Sequence, residues 1–546
     1  MRALEKRASL AAIGIAVLVF FAMARKADEP LRDYGAGWDE ALALTAGEHF
    51  ARDGFLKHRL APYLQISPLE ATPPAYRVYY VHSQPLSFLT HGLLRRLGMQ
   101  DIAPFRWLGS AVYALGVVAF FVFLRMAVSA PVALLATWLC AWTPTMYLYG
   151  DSLTFHSYVP IFLFAPLALW LHLENCPQAG KWGWPLLWLL LVLQMLYTQH
   201  TYAIYSQLFF WSYVIAFRKK WSWRKFSLLL SAPAAATALI LARNAWLLGW
   251  HDALWDIVGV VVWRMFEWEA GPYSTMKESH FAIGTLLSAL AKRMIRDFGV
   301  PLAAAGAAAG MARRLSGKFP ATPDYACRVR LLALALFVPA LLYAAAFQEE
   351  IFTHGFHLRN FAPAFCLLAA WWFWKGWKRS AASEKKLART AAAMLGIIML
   401  ACTPVRMLRK EARHTPPFQE ERALAETLPR NAVCIYSWIN PTLIRYVNRP
   451  YAAVASVPDG RTYYTETIPT MERLLNVCEE ARRTWGGEHP MYFVLFKGRP
   501  ETVALRKALS ESEHRLLWTY EAVEVYRLDC ERLAAEPPPR TEAPRV

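Results

Sequence analysis

The residues of this chain whose types and spacing could do chemistry begin with Asp39 and Glu40, in the stretch Tyr34-Gly35-Ala36-Gly37-Trp38-Asp39-Glu40-Ala41-Leu42-Ala43-Leu44. A carboxylate held beside a hydroxyl can take its proton as that hydroxyl attacks. Gly35 and Gly37 suit a turn, and Trp38, Leu42, Ala46 and Phe50 recur at four-residue spacing, which predicts an amphipathic helix lying on a membrane surface. Both acids fall in its first turn, where the helix dipole favours negative charge with or without catalysis. On these residues alone, proton acceptor and helix-start acid are both open readings.

The elements that must position these acids are membrane spans. Of 546 residues 56% are hydrophobic, too apolar for a soluble protein. From Arg2, Lys6 and Arg7 the chain runs apolar from Ala8 to Ala24, about the minimum length for a span. Ala22-Met23-Ala24 has the form of a signal-peptidase site, but the run is long for a signal peptide and more spans follow. Further apolar runs lie near Phe105–Met126, Pro131–Tyr149, Leu153–Leu173, Trp184–Gln199, Tyr202–Phe217, Phe226–Leu248, Phe298–Met311, Val329–Phe347, Leu358–Trp374 and Thr390–Met407. The expectation is a mainly α, polytopic membrane protein of about eleven transmembrane helices.

The net charge of +18 could suggest nucleic acid, but the basic residues cluster in short connectors between apolar runs, so no nucleic-acid partner is expected. Arg218-Lys219-Lys220, Arg313-Arg314 with Lys318, and Lys375 with Lys378 and Arg379 fall on one side with the amino terminus, which the positive-inside rule makes cytoplasmic. The opposite, exported face then carries the loop 25–104, the turn bearing Asp151, the loop 249–297, the turn 348–357 and everything after Met407. Residues 1–407 read as the transmembrane domain. Residues 416–531 read as a small exported α/β domain, with strands at Ala432–Tyr436, Met491–Phe496 and Ala522–Tyr526 and helices at Ile468–Trp485 and Glu501–Leu509. Residues 532–546, rich in Pro, read as a disordered tail. Cys434, Cys478 and Cys530 fall in the exported domain, where one disulfide is permitted and the pairing is open.

Cations at the exported rim run against the positive-inside bias and are candidate anion sites. Arg359 follows His354 and His357 at the mouth of a span, Arg243 sits in the outer half of another, and Lys292, Arg293 and Arg296 precede a third. Snorkelling to lipid headgroups is the alternative. Asp151 could orient an acceptor or a divalent cation, or could cap the helix after it. His49, His58, His82, His91, His200 and His280 face outward too, yet no pair shows a ligand spacing with a third ligand in view, so no metal site and no cofactor are expected. No Gly-rich phosphate loop with a following Lys occurs, which disfavours a nucleotide donor.

Together, the Gly-Trp-Asp-Glu-Ala opening of the first exported loop, the helix ending Ala51-Arg52-Asp53-Gly54 and the later His82-Ser83-Gln84-Pro85-Leu86 resemble the GT-C glycosyltransferases. The branch they resemble holds the protein mannosyltransferases and lipid A aminoarabinose transferases of glycosyltransferase family 39. The resemblance implies transfer of a sugar from a polyprenyl-phosphate donor to an acceptor hydroxyl of a lipid, glycan or protein, with inversion. It implies Asp39 as base beside Glu40, Asp151 as a second acid, and Arg359, His357, Arg243 and His82 around the donor phosphate. It implies a site facing the periplasm or exterior of a bacterial inner membrane. One departure is that Ser83-Gln84 stand before Pro85-Leu86 where members carry a cation or His, so this segment is read as shaping an acceptor site. The rival readings are a transporter or flippase for a lipid-linked glycan and a non-catalytic envelope assembly protein. Transporters place ionisable groups near the bilayer midplane in paired repeats, whereas here these groups gather at the rim and no repeat appears.

Overall fold

The computed structural model describes residues 2–31, 36–66, 84–176, 180–255, 283–315, 323–347, 355–381, 386–413, 424–437, 441–453, 471–486, 488–496, 503–511, 515–519 and 523–528, with a few single positions between them. Helices occupy the place of every apolar run. They are α1 (Arg2–Ala24), α2 (Gly37–Asp53), α3 (Pro85–Arg96), α4 (Ile102–Arg125), α5 (Ala130–Ala141), α6 (Pro144–Tyr147), α7 (Phe155–Asn175), α8 (Gly180–Tyr197), α9 (His200–Ala216) and α10 (Trp223–Leu248). After them come α11 (Ile283–Leu315), α12 (Pro323–Ala346), a 3-10 turn (Gly355–Phe361), α13 (Ala362–Ala381) and α14 (Lys386–Arg413). The chain is a mainly α, multi-pass membrane protein. Among the described residues, six helices are long and apolar enough to cross a bilayer by themselves: α1, α4, α7, α10, α12 and α14.

One expected span is broken. The run Pro131–Tyr149 divides into α5 and α6 at Trp142-Thr143, because Pro144 takes the first position of a new helix and disfavours helical backbone in the residue before it. That break turns the carbonyl of Thr145 and the ring of Tyr149 toward the site described below. Between α4 and α7, small residues allow close approach. A Cβ on Gly109 would lie 2.6 Å from the backbone of Ser152, and one on Gly116 2.4 Å from Pro160.

A five-stranded mixed sheet, order β2-β1-β3-β5-β4, packs against α2. Its strands are β1 (Val433–Tyr436), β2 (Tyr451–Ala453), β3 (Met491–Phe496), β4 (Arg515–Thr519) and β5 (Val523–Leu528), with β1 parallel to β2 and β3 and β5 antiparallel to β3 and β4. The helices α15 (Pro441–Val447), α16 (Met471–Trp485) and α17 (Val503–Glu511) complete the unit. Strand alternation gives it two cores. Val433 and Ile435 pack with Leu474, Leu505 and Leu509 on one face, while Cys434 and Tyr436 pack on the other with Leu443, Val447 and, from α2, Leu42, Ala46 and Phe50.

That second core corrects the placement of α2. The stripe read as membrane-facing is buried against the sheet unit, and the opposite stripe, Ala41 and Leu44, packs on Phe105, Leu153 and Tyr158 of the bundle. Gly47 and Gly92 allow α3 to cross α2 closely, since Cβ atoms there would lie 2.9 Å from His91 and 2.5 Å from Phe50. Cys434 and Cys478 are both buried, and Cys530 lies outside the described residues.

Candidate active site

Asp39 is joined to two residues far along the chain. Its Oδ2 lies 2.9 Å from His156 Nε2, and His156 Nδ1 lies 3.1 Å from Arg359 Nη1, while Arg359 Nε donates to the Thr145 carbonyl at 2.5 Å. A guanidinium can only donate, so Nδ1 of His156 must accept. The proton therefore sits on Nε2, which donates to Asp39: the imidazole is neutral and its tautomer is set by Arg359. Local sequence prepares each piece. Asp39 is in the first turn of α2, His156 in the first turn of α7 behind the N-cap Thr154, whose side chain accepts from the His156 amide, and Arg359 in the 3-10 turn.

Burial gives the three residues different exposures. His156 and Arg359 are 0% and 1% exposed, whereas the Asp39 side chain keeps 22%, so the carboxylate is the most accessible of the three. Tyr149 and Phe356 hold the pair: the Arg359 guanidinium lies 4.8 Å from the Tyr149 ring centre, and the His156 ring 4.7 Å from that of Phe356. Among the described residues, Arg359 Nη2 and both polar side-chain atoms of Asn360 are buried without a hydrogen-bond partner. Buried donors of this kind suit an anion. The phenol of Tyr149 feels the charges of Arg359, Asp39, Arg296 and Arg293, which brings two more cations of α11 into the neighbourhood.

Glu40 has a different task. Arg106 grips it with Nε on Oε1 at 2.9 Å and Nη2 on Oε2 at 2.8 Å, both side chains buried, and donates further to the carbonyls of Ala27 and Pro30. This fork fixes the segment between α1 and α2 and engages both Glu40 carboxylate oxygens. Arg243, expected around the donor phosphate, donates to the Val81 carbonyl at 2.6 Å and to Asn244 at 2.7 Å, bracing the chain before α3. His357 is fully buried between Phe356 and Tyr343. Asp151 is buried in the turn before α7 and does not cap it, since Thr154 does. His82 lies outside the described residues.

His156, Thr145 and Arg106 were missed in the sequence. The signal for His156 and Arg106 was present, since each is an ionisable residue within an apolar run. Also unexpected is a His/Asp cluster at the far end of α2, where His49, Asp53 and His58 converge. Burial holds the His49 imidazole down near 4, and that of His91, whose Nε2 donates to the Leu153 carbonyl, also near 4.

Comparison with known proteins adds the fold. No family model and no curated protein sequence matches the chain. Solved structures do. The chain is similar to ArnT from Cupriavidus metallidurans bound to undecaprenyl phosphate, at 13% identity and a TM-score of 0.53 over 95% of this chain and 97% of that one. The apo state of the same protein gives 14% and 0.55 over the same shares. The oligosaccharyltransferase AglB from Archaeoglobus fulgidus, in complex with an inhibitory peptide and a dolichol-phosphate, gives 11% and 0.52 over 90% of this chain and 70% of that one. The chain thus has the fold of the GT-C membrane glycosyltransferases. Within that fold its likeness runs to an aminoarabinose transferase over nearly the full length of both chains and to an oligosaccharyltransferase over part of the other's length.

Proposed function

We propose that the chain is an integral membrane glycosyltransferase that moves a sugar from a polyprenyl-phosphate donor to an acceptor hydroxyl on the exported face of a bacterial inner membrane. The observation that carries this reading is the chain Asp39–His156–Arg359, a reachable carboxylate backed by a neutral imidazole and a buried guanidinium. The acceptor oxygen attacks the anomeric carbon, its bond to that carbon forms as the carbon–phosphate oxygen bond breaks, and the lipid phosphate leaves with the electron pair. Asp39 takes the acceptor proton. A single displacement of this kind inverts the anomeric centre. Phosphate needs no acid to leave, so the demand is for cations: Arg359 Nη2, with Arg293 and Arg296 nearby, meets it. The likeness to structures holding undecaprenyl phosphate and dolichol-phosphate supports a lipid-linked donor.

The test is mass spectrometry of envelope lipids and glycans from a strain lacking the gene, complemented with wild type or Asp39→Asn. A glycan lighter by one sugar in the deletion, restored by wild type and not by Asp39→Asn, is expected. Full restoration by Asp39→Asn would overturn the proposal. Accumulation of the intact lipid-linked glycan on the cytoplasmic side would instead favour a flippase.

A further inference from the structure

At the carboxy-terminal end of α2 a second constellation plays no part in the proposed reaction. His49 and Asp53 stand four residues apart on one helix face, and the turn beyond Gly54, whose φ is +98°, brings His58 back onto them. Asp53 Oδ2 lies 3.5 Å from His49 Nδ1 and 3.1 Å from His58 Nε2, and all three atoms lie within 4.8 Å of one another. Both imidazoles are buried. The Gln65 carbonyl accepts from His49 Nε2, which leaves the lone pair on Nδ1, facing Asp53. Two ligands on a tetrahedral zinc ion, each at about 2.0–2.2 Å, stand about 3.3–3.6 Å apart; the 3.5 Å Asp53–His49 distance falls in that range and the 3.1 Å Asp53–His58 distance lies just short of it.

We propose that His49 Nδ1, Asp53 Oδ2 and His58 Nε2 form a binding site for a divalent transition-metal cation of the zinc class. Two imidazoles and a carboxylate are the donor set such a cation prefers over magnesium or calcium. Asp53 follows Asp39 by fourteen residues on one helix, so the site lies about 21 Å from the base at 1.5 Å per residue. The cation therefore braces the loop after α2 against the helix and does not touch the reacting atoms. Arg52 competes for the same groups. Its Nε donates to Asp53 Oδ1 at 2.8 Å, and its Nη2 lies 2.5 Å from His49 Nδ1 and 3.0 Å from Asp53 Oδ2, so a cation must take both Nδ1 and Oδ2 from Nη2 while Nε stays in place. Arg52 is half-exposed and can release that nitrogen into water.

The experiment uses the full chain in detergent, with any affinity tag removed and metals stripped by chelator, titrated with Co2+ and then Zn2+. One Co2+ per chain with visible d–d absorption, displaced by Zn2+, is expected. Asp53→Asn and His58→Gln should each weaken binding at least about tenfold, the loss that even an outer-shell partner brings. Arg52→Gln, an exposed change, should bind more tightly than wild type because the competing cation is gone. No stoichiometric uptake by either wild type or Arg52→Gln would overturn the site, and so would affinity unchanged in Asp53→Asn. None of these readouts depends on sugar transfer.

Discussion

Asp39 and Glu40 are adjacent acids with opposite fates, because successive residues on a helix point about 100° apart. Asp39 meets His156 at the reachable end of a polar chain, and Glu40 meets Arg106 in the interior. Asp39→Asn keeps size and shape but removes the proton acceptor, so transfer by purified protein should fall about 10²–10⁴-fold while thermal stability changes little. Glu40→Gln should do the reverse: breaking a buried pair costs about 3–5 kcal/mol, read as a lower unfolding temperature, with turnover retained per folded molecule. Near-normal transfer by Asp39→Asn would sink the base assignment. Protonation supplies another prediction. His49 and His91 have folded-state values near 4, below the ordinary 6.5, chiefly through burial, and His58 is lowered for the same reason. Depressed imidazoles stabilise the fold fully above about pH 6.5, and that contribution is lost as pH falls from 6.5 through 4. The unfolding temperature should decline over that window, and a flat profile from pH 7.5 to 5 would show that these rings titrate as if exposed. The sequence disclosed Asp39 and Arg359 through their places at helix starts and span mouths. It could not disclose the residue between them: the Asp39–His156 bond spans 117 positions, and no local spacing encodes such a partner.

At the scale of elements, hydropathy located the helices well and their ends poorly. The strand Met491–Phe496 was legible to the residue because a short continuous apolar run and a central position buried on both faces coincide there. The break at Thr143-Pro144 was signalled by proline yet lost in a long apolar run. What covers α2 was not legible for a different reason: its apolar stripe is real, but a stripe does not name its partner, here the sheet unit. The turn 150–154 matters most for the site, because it sets where α7 starts and hence where His156 points. It is held from two sides. Gly109 gives it room on α4, and His91, stacked on Phe105 at 4.6 Å, bonds the Leu153 carbonyl from α3. Gly109→Val must push Ser152 and Leu153 outward, since backbone at 2.6 Å cannot yield as a flexible side chain would. The expected result is a folded protein whose transfer rate falls about a hundredfold or more, the effect of misplacing a reacting group by roughly 1 Å. Wild-type turnover in this variant would show that the turn does not position His156.

Across the whole molecule, α2 links the chemistry to the sheet unit. Glu48 of α2 pairs with Arg445 of α15 at 2.5 Å and with Arg95 of α3 at 2.9 Å, and Gln65 donates to the Tyr451 carbonyl on β2 at 3.0 Å. Beneath these contacts Leu443, Ile444 and Val447 share one apolar core with Leu42, Ala46 and Phe50. The two kinds of contact should differ sharply in weight. Glu48 and Arg445 are 41% and 22% exposed, and Glu48 keeps Arg95 when Arg445 is lost, so Arg445→Ala should cost no more than about 1 kcal/mol. Leu443 is 3% exposed, and Leu443→Ala leaves a cavity worth about 2–5 kcal/mol. If α2 and the sheet unit behave as one body, this loss destabilises the helix that carries Asp39, and sugar transfer should decline in parallel with the unfolding temperature although Leu443 is remote from every reacting atom. An assembly protein with a separate partner-binding domain predicts otherwise: the sheet unit would melt first and alone, and protease protection of α2 would be unchanged. Limited proteolysis with mass mapping, run beside the transfer assay on Leu443→Ala and Arg445→Ala, separates the two. Simultaneous exposure of α2 and the sheet unit in Leu443→Ala, with Arg445→Ala near wild type, is the outcome the shared core requires.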